Sequence, residues 1–250
     1  MMLSGSETLT SQFFRRFEIF FADNNSLRQR VYQIRHRVYC QELGALQGND
    51  GLEVNEHDDH SLHVLLHDRI NDVDVACIRV IEPLNGGGGL PFEAIALCHM
   101  DRRQLDLKQL EPTQCCEISR LAVLENIRRP SGHGVNVSEL GSIAVAKDLR
   151  VFIPIALSYA GLAVSLAYNY KWMFMVAEPR LQRFLTRYGL ISRQISPAFE
   201  WFGQRALFVF NGDDLLAEMR KWKPQWCEFY NHIESRVAGK EEKVAIALAS

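Results

Sequence analysis

The most informative part of this sequence is a nine-residue stretch, Cys115-Cys116-Glu117-Ile118-Ser119-Arg120-Leu121-Ala122-Val123. Its length and apolar content predict a buried β-strand, yet it contains the ionisable residues Glu117 and Arg120. Moving such a charge from water into a protein core costs several kcal/mol unless a partner compensates it. The stretch therefore indicates either a reactive site or structural ion pairs within the core.

The spacing of these two charges predicts an irregularity in the strand. Side chains alternate between the two faces of a strand, so Glu117 and Arg120, three positions apart, should point to opposite faces. If the two act in one site, a β-bulge must lie between them, and such a bulge also frees backbone N–H groups to face a ligand. If they do not, each makes a separate structural ion pair with a neighbouring element.

Outward from this strand, apolar periodicity and turn residues predict a mixture of strands and helices. We expect strands at 17–21, 61–67, 73–81, 115–123, 171–177 and within 199–210. We expect helices at 27–44 with Ser26 as N-cap, at about 150–170, from 178 to 189, and at about 213–237. The segment around the glycine run at 86–89 is expected to be a flexible connection. The order indicates an α/β (α+β) fold with a mixed sheet and helices on its faces.

Length and composition limit the class of protein. The chain has 250 residues, which one domain can fill, with a core at about 15–212, a C-terminal helix at about 213–237 and a flexible tail at 238–250. The formal net charge of −2 favours no nucleic-acid partner. The six cysteines form no C-x-x-C pair and the first residues do not resemble a secretory signal, so we expect a cytoplasmic protein.

One apolar segment, 151–168, is long enough to cross a membrane. It contains Pro154, Ser158, Gly161 and Ser165, and its flanks are of ordinary mixed composition. A central helix packed on a sheet has the same pattern. We therefore expect a core helix and no transmembrane segment.

Several motifs resemble known enzyme families. They are Ile34-Arg35-His36-Arg37-Val38-Tyr39, the acidic loop through Glu56 and Asp59, Ala76-Cys77-Ile78-Arg79-Val80, and the strand from Glu117 to Val123. Over roughly 31–123 their order and spacing resemble the acyl-homoserine-lactone synthases. Further motifs extend the resemblance over most of the chain, to the acyltransferases associated with exosortase (PEP-CTERM) systems: Val38-Tyr39-Cys40, His60-Ser61-Leu62-His63 and Ala177-Glu178-Pro179. Both families have the GNAT fold. The resemblance therefore implies a GNAT-like acyl-CoA N-acyltransferase fold, with a twisted central sheet whose bulged strand is splayed where an acyl thioester lies.

The resemblance also implies roles for individual residues. Glu117, Ser119 and Arg120 are the expected catalytic residues. The expected substrate-binding residues are Arg35, Tyr39, Glu56, Asp59 and Arg79, although the arginines can instead lock the acidic residues, and anchoring is the favoured role of the two carboxylates. The expected donor-binding residues are Leu121, Val123, Arg128 and Arg129.

These roles imply transfer of an acyl group from a thioester to an amine. Glu117 would accept the ammonium proton, and backbone N–H groups at the bulge would hold the oxyanion. No tightly bound cofactor or metal is expected; acyl carrier protein or coenzyme A thioesters serve as co-substrate, with a small amine as acceptor. Ala45 stands where the synthases usually have Trp, so homoserine lactone is a doubtful product.

The sequence favours an acyl carrier protein as donor. The segment Arg129-Pro130-Ser131-Gly132-His133-Gly134 matches the GNAT cofactor-loop pattern. However, Gly134 is too far from the apolar helix for these glycines to lie at its N-terminus, where phosphate is normally held. Basic residues that can dock an acidic carrier are Arg102, Arg103, Lys108, Arg128 and Arg129, although scattered surface charge is the commoner explanation for such residues.

Other interpretations compete with this one. A coenzyme A-dependent N-acetyltransferase and a non-catalytic acyl- or carrier-binding protein fit the same fold. A metal site is open only for His57, Asp59 and His60, because His63 and His67 would lie about 13 Å apart on one strand. No His-Asp pattern accompanies Cys40, Cys77 or Cys116, so a cysteine nucleophile is disfavoured.

Overall fold

One mixed β-sheet organises the molecule, whose computed structural model describes residues 8–85, 87–128 and 147–248. Within these ranges the strands are β1 (Phe17–Phe21), β2 (Ser61–Asp68), β3 (Val73–Ile81), β4 (Cys115–Val123), β5 (Trp172–Ala177), β6 (Arg193–Gln194), β7 (Phe199–Glu200) and β8 (Gln204–Asn211). The α-helices are α1 (Leu9–Arg16), α2 (Asn25–Arg35), α3 (Pro91–Ile95), α4 (Glu125–Arg128), α5 (Lys147–Ala167), α6 (Pro179–Thr186), α7 (Gly212–Trp222) and α8 (Gln225–Leu248).

The strand order is β1-β2-β3-β4-β5-β8-β6, and β7 pairs with β8. All neighbouring pairs are antiparallel except β4 and β5, which are parallel. The strands predicted at 61–67, 73–81 and 115–123 are present as β2, β3 and β4, and β2 pairs antiparallel with β3. The mixed sheet with helices confirms the predicted α/β fold class.

The parallel pair β4–β5 separates along its length. Its pairing covers three residues of β4, from Cys115 to Glu117, against Trp172 to Phe174. Both strands continue beyond this point, β4 to Val123 and β5 to Ala177. The facing backbone edges of the continuing halves are therefore open to a ligand, which confirms the predicted splay.

Helix α5 is the central core helix. It packs against β2, β3, β4 and α8. A Cβ built at Gly161 would lie 3.6 Å from Ile78 and 3.7 Å from Ile118, so the helix lies close on the sheet. Among the described residues it is the one helix with the length and hydropathy of a membrane span, and 78% of that window is buried inside the protein. Such burial is typical of a core helix.

The N-terminal part differs from the prediction in three places. Helix α1 was not expected; its Phe13 and Phe14 rings lie 5.3 and 5.0 Å from the Phe229 ring of α8, a partner far along the chain. Ser26 is not the N-cap of α2, because the Asn24 side chain accepts the Leu27 N–H at 3.0 Å. The predicted helix 27–44 also changes character, since its last part, His36–Glu42, is π-helical.

The C-terminal part was predicted as one helix at about 213–237 and a flexible tail at 238–250, and this prediction was wrong. Two helices, α7 and α8, take its place. Pro224 separates them because proline supplies no N–H to continue α7. Helix α8 then runs to Leu248, through most of the expected tail. The core is correspondingly larger than 15–212, since Phe229, Tyr230 and Ile233 of α8 are buried.

Candidate active site

A β-bulge interrupts β4 where the spacing of its charges predicted one. Ser119 pairs with Arg79 of β3, and Ala122 pairs with Cys77. One residue of β3 therefore faces two residues of β4, Arg120 and Leu121. Arg120 has a φ of 53°, a left-handed conformation that glycine usually takes in such bulges. For a non-glycine residue this costs on the order of 1–3 kcal/mol, so surrounding contacts must stabilise it.

The bulge brings Ser119 and Arg120 into one cluster of side chains. Arg79 Nε donates to Ser119 Oγ at 3.0 Å, and Arg120 Nη2 lies 3.0 Å from Glu53 Oε1. Glu117, two residues before Ser119, shares its face because the strand is regular there. The geometry that the charge spacing required, with all three β4 side chains on one side of the sheet, is thus present.

Glu117 is a buried carboxylate with few compensating contacts. Glu117 is only 4% exposed, and its Oε2 accepts a hydrogen bond from the backbone N–H of Phe92 at 2.6 Å. Burial raises the pKa of Glu117 to about 7, against the opposing effects of the Phe92 hydrogen bond and the charges of Arg79 and Arg120. A group with such a pKa can both accept and release a proton near neutral pH.

Beside Glu117 lies a network of three arginines and two carboxylates. Arg35 Nε lies 2.5 Å from Glu53 Oε2, and Arg35 Nη1 lies 2.6 Å from Asp58 Oδ1. Arg79 Nη1 binds the same Asp58 oxygen at 2.8 Å, and Arg120 binds Glu53. Both arginines that reach Asp58 are almost completely buried. The network therefore matches buried charge with buried charge, as such a site requires.

The two network carboxylates titrate in the opposite direction from Glu117. Burial alone would raise the pKa of Asp58, but the hydrogen bond and charge of Arg35 and the charge of Arg79 hold it well below its usual range. Burial likewise opposes ionisation of Glu53, and its bonds to Arg35 and Arg120 lower its pKa. Both groups are therefore fixed anions at neutral pH.

Two predicted site residues lie outside this network. Glu56 and Asp59 are exposed, and the carboxylates that anchor the arginines are Glu53 and Asp58. Asn55, which the sequence analysis missed, also contributes: its Oδ1 accepts from Arg79 Nη1 at 2.8 Å. The acidic loop has no periodicity that reveals which of its members point inward, so only its general location was predictable.

Tyr39 stabilises the bulge from the π-helical segment. Its hydroxyl donates to the Leu121 carbonyl at 3.0 Å, and its ring lies 5.5 Å from the Arg120 guanidinium carbon. Burial raises the pKa of Tyr39 to about 12, so the hydroxyl stays protonated and remains a donor. A π-helical segment is frequent at functional sites, and here it presents Tyr39 to the bulge.

An apolar cavity of about 640 Å³ extends from the opening between β4 and β5. Ser119, Arg120 and Leu121 line it on the β4 side, and Met175 and Ala177 line it on the β5 side. Its remaining walls are mostly apolar side chains of the helices, of β8 and of the segment that follows α6, including Pro154, Leu181, Leu185, Leu190, Phe210 and Leu215. The cavity has the shape and lining that suit an apolar chain.

The predicted donor-binding residues are partly at this cavity. Leu121, Val123 and Arg128 line it. Arg128 Nη2 is also paired with Glu42 Oε2 at 2.6 Å. Arg129, together with the cofactor-loop motif at 129–134, lies outside the described residues.

Metal and cysteine chemistry have weaker support in the described part of the chain. That part contains no group of three or more His, Cys, Asp or Glu residues that could hold a metal ion. His63 lies against the arginine network, and burial lowers its pKa to about 3, with Arg35 and Arg79 acting in the same direction against Asp58. Burial raises the pKa of Cys77 and Cys116 to about 12, which disfavours reactive thiolates there.

Comparison with protein families gives the class of this fold. Residues 34–138 match the acetyltransferase (GNAT) domain. The match begins at the end of α2, just before Arg35, and covers the acidic loop, β3 and β4, which carry most of the residues that build the site. The sheet, the splay and this match support a GNAT-like fold.

Solved structures share the fold at low sequence identity. TofI, in a ternary complex with an inhibitor and MTA, has a TM-score of 0.58 at 14% identity, covering 82% of this chain and 96% of TofI. FeeM, an N-acyl amino acid synthase from uncultured soil microbes, has a TM-score of 0.53 at 13% identity, covering 81% and 94%. BjaI, a CoA-dependent acyl-homoserine lactone synthase with SAM and isopentyl-CoA, has a TM-score of 0.52 at 16% identity, covering 82% and 88%. Comparison with curated protein sequences finds no match.

Proposed function

We propose that this protein transfers an acyl group from a thioester, carried by an acyl carrier protein, to the amine of a small, amino-acid-like acceptor. The observation that carries the proposal is the opening between β4 and β5, which joins the Glu117–Arg120 segment to the apolar cavity of about 640 Å³. A reacting carbonyl at this opening would have its acyl chain in the cavity. Its carbon would be next to the charged face of the bulged strand.

The chain supplies the groups that such a transfer needs. Backbone N–H groups on the unpaired edge of β4 would donate to the carbonyl oxygen as negative charge develops on it. Glu117 would take one proton from the acceptor's ammonium group, through a water molecule because Glu117 is only 4% exposed. The neutral nitrogen would then attack the thioester carbon, the C–S bond would break, and the thiol would leave with the second nitrogen-bound proton as the amide forms.

Arg120 is the arginine best placed to bind an acceptor carboxylate. Its side chain is 22% exposed and lines the cavity, whereas Arg35 and Arg79 are buried and engaged with Glu53 and Asp58. A guanidinium fork suits a carboxylate because it can donate two parallel hydrogen bonds. Arg35 and Arg79 would hold Arg120's partner and Ser119 in place rather than bind substrate. The likeness in fold to an N-acyl amino acid synthase is consistent with such an acceptor.

A thiol-release assay tests this function. Octanoyl carrier protein, octanoyl-coenzyme A and acetyl-coenzyme A would each be offered with a panel of amino acids and simple amines, and the acylated product would be identified by mass spectrometry. We expect turnover with the carrier thioester and a preference for acceptors that carry a carboxylate. Turnover with acetyl-coenzyme A alone would favour an N-acetyltransferase, and tight acyl-carrier binding without turnover would favour a binding protein; either result would overturn the proposal.

Two further assignments rest on sequence features. We propose a cytoplasmic location because the six cysteines are free and form no C-x-x-C pair. We also propose a link to exosortase systems, supported by the motifs Val38-Tyr39-Cys40, His60-Ser61-Leu62-His63 and Ala177-Glu178-Pro179. Cell fractionation tests the location. The link is tested in an exosortase-deficient strain, in which we expect the acylated product no longer to be used downstream.

A further inference from the structure

Helix α6 presents a row of exposed arginines. Arg180, Arg183 and Arg187 follow one another at intervals of three and four residues, so they lie on one face along the length of α6, from its first turn to its C-cap Arg187. Their side chains make no hydrogen bond or ion pair with any residue that the structure describes. A row of cations without internal partners, about 10 Å long by helix geometry, is free to bind an external anionic surface.

This row borders a groove that is continuous with the acyl cavity. The groove, of about 450 Å³, is lined by Arg180 and Arg183 on one side and by Phe202 to Gln204 on the other. Glu178 and Arg205 line both the groove and the acyl cavity. These two residues pair with each other at 3.2 Å, so the net positive charge of the groove comes from α6. A donor lying in the groove can therefore reach the opening between β4 and β5.

The other side of the groove is an exposed aromatic hairpin. Trp201 and Phe202, in the turn between β7 and β8, are 44% and 56% exposed, and their rings lie 5.4 Å apart in an edge-to-face arrangement. Phe202 has a φ of 48°, a conformation that is uncommon for an aromatic residue. Exposed aromatics beside arginines are typical of protein interfaces, where both residue types are enriched.

We propose that the α6 arginine row and the Trp201–Phe202 turn dock the acidic carrier protein that delivers the acyl thioester. The proposal rests on the proposed function and names the surface for its partner. A row of three separate cations with an apolar turn beside it fits an acidic helix better than it fits the few phosphates of a coenzyme. The basic residues favoured from the sequence are less suited, because Arg128 is paired with Glu42 and neither Arg102, Arg103 nor Lys108 lines the groove.

Charge reversal tests the docking surface. The variant Arg180→Glu/Arg183→Glu/Arg187→Glu would be compared with the wild type using octanoyl carrier protein and octanoyl-pantetheine, which has no charge to dock. We expect the ratio of kcat/KM for the carrier substrate to that for octanoyl-pantetheine to fall at least tenfold. The steep loss of carrier kcat/KM with added salt in the wild type should also disappear. Trp201→Ala should lower the same ratio by a smaller factor without changing its salt dependence.

A second reversal with the same charge change, Arg102→Glu/Arg103→Glu/Lys108→Glu, tests the rival surface. A fall of the ratio in this variant and not in the α6 variant would overturn the docking assignment, and so would an unchanged ratio in the α6 variant. An equal loss with octanoyl-coenzyme A would assign the row to the donor's phosphates and overturn the carrier as occupant. If the wild type turned over no thioester at all, the proposed function itself would fail, which is a separate result.

Discussion

Two groups of buried carboxylates lie side by side in this molecule and behave in opposite ways. Glu53 and Asp58 each contact two arginines, and their pKa values are lowered. Glu117 has one backbone donor, that of Phe92, and burial raises its pKa to about 7. All three are nearly inaccessible to water. The comparison teaches that burial alone does not mark a reactive carboxylate here; what marks it is burial without an ion-pair partner.

The largest effect is expected when Glu117 is made unable to take a proton, because the contrast with Glu53 and Asp58 assigns the reactive role to Glu117. Glu117→Gln keeps an oxygen that can accept the Phe92 N–H, so we expect a folded protein whose kcat falls by about 10²- to 10⁴-fold, the usual contribution of a general base. The assay is thiol release at saturating thioester. Glu111→Gln, at an exposed carboxylate, is the control and should stay within twofold. Full activity of Glu117→Gln would remove Glu117 from the base role.

The structural role of Glu53 and Asp58 is tested by removing the charge of one of them. Asp58→Asn leaves Arg35 and Arg79 buried without their shared partner, so we expect the free energy of unfolding to fall by about 3–5 kcal/mol in a urea titration. The neighbouring Asp59→Asn, at an exposed position, should change it by less than about 0.5 kcal/mol. Equal effects of the two substitutions would contradict the assignment of Asp58 rather than Asp59 to the network.

The pH dependence of stability sharpens the contrast. The pKa of Glu117 is raised in the folded state from an ordinary value of 4.5 to about 7, so its ionisation destabilises the fold as the pH rises through that window. We therefore expect the wild type to lose up to about 3 kcal/mol of unfolding free energy between pH 4 and pH 8 from this group, and Glu117→Gln to lose none of it. Asp58 has the opposite sign: its lowered pKa stabilises the fold above its unfolded value, and this is lost as the pH falls through the folded value. If the difference in unfolding free energy between the wild type and Glu117→Gln did not change with pH, Glu117 would have the same pKa in the folded and unfolded states.

The smallest effect is expected at Tyr39, whose hydroxyl donates to the bulge at Leu121. Tyr39→Phe removes that hydrogen bond, so we expect a loss of about 1 kcal/mol in unfolding free energy and a several-fold lower kcat. Tyr32→Phe is a matched control on the preceding helix, because the Tyr32 ring stacks on Arg35 at 5.3 Å but its hydroxyl has no hydrogen-bond partner among the described residues. Identical effects at both positions would argue against a special role for the bulge contact.

Much of the fold was predictable because the information is local. Strand alternation located β1 to β5, and the spacing of Glu117 and Arg120 required the bulge that β4 contains. The pairing of α1 with α8 was not predictable, because Phe13 and Phe229 are far apart in sequence. The break at Pro224 did have a local signal, a proline inside the predicted helix, and the helical periodicity on both sides obscured it.

The site was predictable in outline and not in detail. Glu117 and Arg120 could be named because they interrupt the apolar pattern of β4, whereas Arg35 and Arg79 were named from the resemblance to the acyl-homoserine-lactone synthases. The acidic loop has no such pattern, so Glu56 and Asp59 were named where Glu53 and Asp58 make the contacts. The Phe92 N–H that reaches Glu117 comes from α3, a short helix just after the glycine run that the sequence did not predict, and only the folded chain brings the two together.

The most direct test is the titration of Glu117 itself. In protein labelled with ¹³C at the glutamate carboxyl groups, the resonance that disappears in Glu117→Gln belongs to this residue. Its midpoint should lie near pH 7, well above the ordinary glutamate value of 4.5. A midpoint at or below 4.5 would contradict the claim that Glu117 is the unpartnered, reactive carboxylate of this site.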